Sequence, residues 1–288
     1  MSEWARRKRA LSNGLYTGEA NNNMNDQAQR PVALITGASS GIGEAIARKF
    51  AKEGWRIVAV ARREPRLQQL QQELSELTDL EYLVADVTDK DAPKRAVDLA
   101  LHAFDRLDCL VNNAGSGKWA PPGETDDDTI DEVLNISLKA PFRFGREALR
   151  AMQPGSSIIN IGSVFGLLGG LDGGIYCTAK AGMIGMSQAF AVQYGAKGIR
   201  SNVVAPGVVK TEMTAAAWDF PGFQRTNQEL TPFDRDGTVD DVANTVFFLA
   251  SKEGSYINGQ TIALDGGWST TKYVAPEALL CERVMPGE

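Results

Sequence analysis

The sequence predicts an α/β protein: a single doubly wound domain whose seven-stranded parallel sheet is flanked by helices. Three observations lead there. Short apolar runs alternate along the chain with segments whose apolar residues recur at helical spacing. The runs are apolar throughout instead of alternating with polar residues, as parallel strands buried on both faces should be. No linker-like composition and no internal repeat breaks the pattern across the 288 residues. The domain is placed at 31–268, with tails at 1–30 and 269–288.

Residues 1–30 are polar, Asn-rich and aperiodic, which predicts a disordered or extended tail, and Met24 suits a translation start. Val32–Ile35 reads as the first strand and runs into glycine-rich sequence. Ile42, Ala45, Ile46 and Phe50 then mark a helix. Arg56–Val60 returns to strand, and Leu67, Leu70, Leu74 and Leu77 form a helical stripe. Further strands are predicted at Leu80–Ala85, Leu107–Val111, Ser157–Ile161, Ile199–Ala205 and Gln260–Leu264. The last helix carries Val239, Val242, Ala243, Val246 and Leu249. In the C-terminal tail, Tyr273, Val274, Leu279, Leu280 and Val284 suit a subunit contact, a border of the active site or a loosely packed end alike.

Composition narrows the chemistry. A net charge of −6 argues against a broad nucleic-acid-binding surface. His102 is the only histidine, so no multi-histidine metal site is expected, and a Ser-His-Asp triad would have to use it. Cys109, Cys177 and Cys281 are widely spaced and form no C-x-x-C pair, pointing to a reducing, cytoplasmic setting. Neither a signal peptide nor a membrane span is predicted, since the uncharged run Ala151–Leu171 is broken by Pro154, Asn160 and glycines.

In parallel sheets ligands bind beyond the carboxyl ends of the strands, so the exits at Gly37, Arg62, Asp86, Asn112, Ser163 and Pro206 are the places to search. The first exit reads Thr36-Gly37-Ala38-Ser39-Ser40-Gly41-Ile42-Gly43. Its glycines permit close backbone approach, and the helix that follows aims its first amides at whatever binds there. Taken alone, this G-x-x-x-G-x-G turn is equally compatible with holding no ligand. Arg62 and Arg63 follow the second strand where NAD-binding domains place a carboxylate for the adenosine ribose. A guanidinium there suits a 2′-phosphate, favouring NADP(H) over NAD(H), although solvated arginines at a helix start are the plainer reading. Asp86 and Val87 are placed at the adenine edge, and Asn113, Ala114 and Gly115 beside the cofactor body.

Tyr176 and Lys180 stand i, i+4 and share one helix face. A free tyrosine titrates near about 10. A neighbouring ammonium and an oxidised nicotinamide would favour phenolate and lower that value. Such pairs are common on helix surfaces, but here Ser163 leaves the fifth strand and Asn135 lies in the preceding helix.

The loop Thr36–Gly43, the Asn112-Asn113-Ala114-Gly115 run, Ser163 with Tyr-x-x-x-Lys at Tyr176–Lys180, Pro206-Gly207 and Asp265-Gly266-Gly267 together resemble the short-chain dehydrogenase/reductase family. The resemblance spans roughly residues 31–268 and points to 3-oxoacyl-acyl-carrier-protein reductase-like members. It implies a Rossmann-like fold and an NADP-dependent oxidoreductase acting on CH–OH groups or the corresponding carbonyls. Tyr176 would be the general acid/base, Ser163 would polarise the substrate oxygen, and Lys180 would lower the Tyr176 pKa and hold the nicotinamide ribose. Asn135 would support a proton relay. Pro206, Gly207, Val209 and Thr211 would also border the cofactor. Ala179 departs from the serine frequent before the motif lysine, without touching these roles.

The resemblance further implies a homo-oligomer, a dimer or tetramer, built on surfaces that include Phe142, Phe144 and Gly182–Met186. A small-molecule carbonyl or alcohol is the expected partner, with no metal. Trp218, Phe220 and Phe223 suggest an apolar lid, and Trp119 with Leu167–Leu171 a pocket wall. The competing reading is a catalytically silent dinucleotide sensor or scaffold on the same fold.

Overall fold

Five residues, all buried, form strand β1 (Val32–Thr36) in the interior of the sheet. Their side chains alternate between two cores: Ala33 and Ile35 face one, Val32 and Leu34 the other. The computed structural model describes residues 30–227 and 230–269. The expectations for residues 1–29 and for the tail beyond residue 269 lie outside the described residues.

Strands β2 (Arg56–Ala61), β3 (Leu80–Val84), β4 (Cys109–Asn112), β5 (Ser157–Ile161), β6 (Arg200–Pro206) and β7 (Thr261–Leu264) complete a seven-stranded parallel sheet in the order β3-β2-β1-β4-β5-β6-β7. Helices α1 (Gly41–Lys52) and α2 (Glu64–Leu74) pack on one face of it. Helices α3 (Ala92–Phe104), α5 (Ala140–Ala151) and α6 (Gly174–Tyr194) cover the other. Helix α4 (Asp127–Leu134) precedes α5, and two short helices, α7 (Ala215–Trp218) and α8 (Pro221–Asn227), follow β6. The last helix among the described residues, α9 (Val239–Ala250), lies on the α1 face and starts with a capping box between Thr238 and Asp241. Phe50 of α1 meets Trp55 at 5.1 Å and Phe247 of α9 at 5.3 Å, both edge to face. Each such pair adds about 0.5–1.5 kcal/mol beyond area burial.

Strand β4 starts two residues later than its apolar run suggested. Asp108 accepts the Val32 N–H through its side chain at 2.8 Å, so Leu107 falls outside the ladder. The helix expected around Asn135 is also interrupted. Asn135–Lys139 form a π-helical turn joining α4 to α5, closed by the Ala140 N–H on the Asn135 carbonyl. Pro141 explains the widening: it has no N–H, and its ring would crowd the carbonyl four residues back.

The chain winds outward from β1 to β3, then crosses to β4 on the other side. That reversal opens a crevice at the carboxyl ends of β1 and β4, where a doubly wound sheet receives its ligand. Among the described residues no helix is long and apolar enough to cross a membrane.

Candidate active site

The crevice floor is made by the exits of β1 and β4, which are tied together. Asn113 Nδ2 donates to the Thr36 and Gly37 carbonyls at 3.0 and 3.3 Å, and the Ala114 N–H donates to Thr36 Oγ1 at 3.1 Å. Asn113 therefore holds the loop with its side chain. Gly37 and Gly41 have φ of +68° and +56°, which disfavours any side chain. A Cβ on Gly43 would collide with the Gly37 carbonyl and lie 2.5 Å from Asn113 Nδ2. Ser40 precedes α1 without capping it through its side chain, so the first amides of the helix stay directed at the crevice. Glycines packed this closely beside uncapped amides fit a dinucleotide pyrophosphate.

Arg62 follows β2 and is 76% exposed, with Asp86 Oδ2 at 3.7 Å. Arg63 does more than sequence reasoning assigned to it. Its guanidinium reaches back to Ser39 Oγ at 3.1 Å and Ser40 Oγ at 2.5 Å, and pairs with Glu212 at 2.8 Å. Arg66 reaches the same carboxylate at 3.4 Å. Hydrogen bonding and charge from Arg63 hold the Glu212 pKa below its usual range. Asp86 is lowered overall: burial, its largest single influence, raises it, and bonds from Thr88 with the Arg62 charge outweigh that. Val87 is largely buried and packs with the core, beside Thr36 and Ala114 at the crevice floor. Gly207 donates its N–H to the Leu264 carbonyl at 3.0 Å, directly beyond Pro206. The chain then brings Val209, which bridges Gly237, and Thr211, whose methyl lies 3.4 Å from where a Gly41 Cβ would stand.

Ser163 leaves β5 and accepts the Phe165 N–H at 3.2 Å, capping a short 3-10 turn. Tyr176 and Lys180 lie on one face of α6, as their spacing predicts, with Lys180 Nζ 5.6 Å from the phenol ring centroid. The Lys180 ammonium is buried and donates to the Ile161 carbonyl at 2.8 Å. Burial pulls its pKa down to about 8.

The expected lowering of the Tyr176 pKa is not what the protein alone produces. Burial pushes the phenol above its ordinary value, against a hydrogen bond from Ser163 that favours phenolate. With its pKa at about 8, Lys180 keeps its proton at neutral pH, and burial of the phenol still outweighs what favours its phenolate. Asn135 begins the π turn, and no direct hydrogen bond joins it to Lys180 among the described residues.

Three aromatic rings were not assigned to the site as a group. Trp119 lies 5.5 Å from the Tyr176 ring and 5.1 Å from Phe165, and Phe165 lies 5.7 Å from Trp268. Trp119 was expected at the pocket wall, and for Phe165 and Trp268 the hint in the sequence is the glycine content of the loop opposite Trp119. Of the expected lid, Trp218 and Phe223 line a cavity of about 430 Å³, while Phe220 is 68% exposed and does not line it.

Comparison with known proteins agrees with this architecture. Residues 37–269 match the family model described as enoyl-(acyl carrier protein) reductase. The 3-oxoacyl-[acyl-carrier-protein] reductase FabG of Thermotoga maritima is 37% identical over 239 residues, covering 82% of this chain and 96% of that protein. The (+)-borneol dehydrogenase 2 of Salvia officinalis is 37% identical over 257 residues, covering 84% and 90%. The crystal structure of a short chain dehydrogenase from Burkholderia cenocepacia J2315 in complex with NADP superposes with a TM-score of 0.78. It shares 33% identity, and the match covers 84% of this chain and 98% of that one. Sheet order, crevice and relatives converge: the chain belongs to the short-chain dehydrogenase/reductase family of oxidoreductases and resembles its FabG members.

Proposed function

We propose that this protein is an NADP(H)-dependent reductase of ketones, or dehydrogenase of the corresponding secondary alcohols. The observation that carries the reading is the Ser163–Tyr176–Lys180 constellation at the mouth of the glycine-lined crevice. When bound, the nicotinamide supplies or accepts the hydride. The residues here do the rest. Ser163 donates a hydrogen bond to the substrate oxygen, where negative charge grows as the carbonyl is reduced. The Tyr176 hydroxyl, bonded to Ser163, delivers the proton to that oxygen. Lys180, buried between Gly115 and Ile161, favours the phenolate left behind and faces the position of the ribose. Asn135 relays protons towards Lys180 through water.

Support for NADP(H) comes from Arg62 and Arg63, which bring two positive charges and the Ser39 and Ser40 hydroxyls to one side of the crevice. The relative solved with NADP points the same way. Phe142 on α5 is half exposed, its ring tilted against that of buried Phe190 on α6, and this uncovered apolar face supports association of identical chains there.

The pH dependence of reduction tests the proton path. With Lys180 at about 8, raising pH through that value removes its proton and weakens support for the phenolate. Reduction with NADPH should slow above about pH 8 and alcohol oxidation should gain relative to it. A reduction rate that stays flat from pH 6 to 10 contradicts the role given to Lys180.

A further inference from the structure

The arginines that follow β2 are already matched by carboxylates of the chain itself. Arg62 stands 3.7 Å from Asp86, while Arg63 and Arg66 reach Glu212 at 2.8 and 3.4 Å. The two carboxylates differ in what holds them. Asp86 accepts the Thr88 N–H and hydroxyl at 2.9 and 2.7 Å, so it keeps partners when Arg62 turns to another anion. Glu212 instead draws its bonds from Arg63 and Arg66, and Arg63 keeps it ionised by hydrogen bonding and by charge.

Arg63 is engaged on every side. Its Nε and Nη2 donate to Ser39 Oγ at 3.2 and 3.1 Å, Nη2 also to Ser40 Oγ at 2.5 Å, and Nη1 to Glu212 at 2.8 Å. It thus links the glycine turn after β1 to the segment after β6. The Glu212 backbone is fixed beside that turn. The neighbouring Thr211 has its methyl 3.4 Å from where a Gly41 Cβ would stand, and its N–H donates to Thr214 Oγ1 at 3.0 Å. Only the Glu212 side chain, 53% exposed, is free to swing towards water.

From this we propose that Glu212 tunes coenzyme selectivity by competing with the 2′-phosphate of NADP(H) for Arg63. The proposal rests on the NADP(H) reading above. A phosphate monoester carries roughly −1.5 to −2 charges near neutral pH. Two anions on one guanidinium repel, so the phosphate gains the Arg63 donors as the carboxylate gives them up. NAD(H) has a hydroxyl at the same place and leaves the ion pair intact. The chain's own carboxylate therefore restrains affinity for the phosphorylated coenzyme alone.

Adenosine 2′,5′-bisphosphate and adenosine 5′-monophosphate differ only in the 2′-phosphate. Calorimetry of each on the full-length protein, at about 0.15 M salt, reads that group as a ratio of dissociation constants. Glu212→Gln keeps the size of the side chain and removes its charge. It should raise the preference for the bisphosphate about fivefold, the scale of an exposed ion pair, and leave monophosphate affinity unchanged. With Arg63→Ala already present, the same change should shift the ratio by less than about twofold.

A preference lowered by Glu212→Gln overturns the proposal, because Glu212 then positions Arg63 for the phosphate instead of contesting it. A full shift that persists without Arg63 overturns it too, since Glu212 then acts as a distant charge. If the wild type prefers the bisphosphate and Glu212→Gln leaves that preference alone, the NADP(H) reading stands and the role of Glu212 fails. If neither nucleotide is preferred by either protein, both fail.

Discussion

Tyr176→Phe is expected to lower kcat for carbonyl reduction by about 10²–10⁴, the range general acids contribute. The change removes one oxygen and keeps the ring, so the contacts with Trp119 and Lys180 persist. It also removes the hydrogen bond between the phenol and Ser163 without opening a cavity. Stability should therefore hold or fall slightly, and NADPH affinity should stay close to wild type. Stopped-flow reduction of a single ketone, with the NADPH dissociation constant measured alongside, separates these effects. A variant retaining near-wild-type kcat would remove Tyr176 from the chemistry.

The second large effect concerns coenzyme choice. Ala61→Asp combined with Arg62→Ile should turn a preference for NADPH into one for NADH. Losing a guanidinium contact to phosphate costs about 1.5–3 kcal/mol in general. Arg62 is well exposed, so solvent screening places its share near the lower end. That is roughly tenfold in affinity. The introduced carboxylate adds repulsion of the 2′-phosphate and a new partner for ribose hydroxyls. Ala61 is the last residue of β2 and is buried, so the introduced carboxylate stands at the carboxyl end of the strand and out of bulk water. Arg63 remains, held by Ser39, Ser40 and Glu212, so residual NADPH binding is expected. The ratio of kcat/KM for the two coenzymes, at fixed ionic strength, reads the outcome. An unchanged ratio means that Arg62 is a solvated side chain without a role in selection.

How much of this was legible in the sequence depended on range. The strands were, because residues such as Val32–Thr36 and Arg56–Ala61 are buried on both faces and read as unbroken apolar runs. Tyr176 and Lys180 were, because their pairing follows from helix periodicity alone. What escaped depends on contacts between distant parts of the chain. Arg63 meets Glu212 across 149 positions, and the wall from Tyr176 to Trp268 joins four separate segments. No local pattern encodes either. The direction of the Tyr176 pKa was read from its charged neighbour, while the dominant influence is burial, which spacing does not reveal. The π turn at Asn135 was hidden because a single proline inside a helical pattern can end, bend or widen it.

Following the hydride tests the central claim most directly. NADPH carrying deuterium at the nicotinamide C4 position transferred by the enzyme, incubated with the intact protein and a ketone, should yield an alcohol heavier by one mass unit. The label should lie on the carbinol carbon, and the Tyr176→Phe variant should form that product far more slowly. An alcohol that forms without the label, or NADPH left intact in the presence of every ketone that binds, would contradict the account.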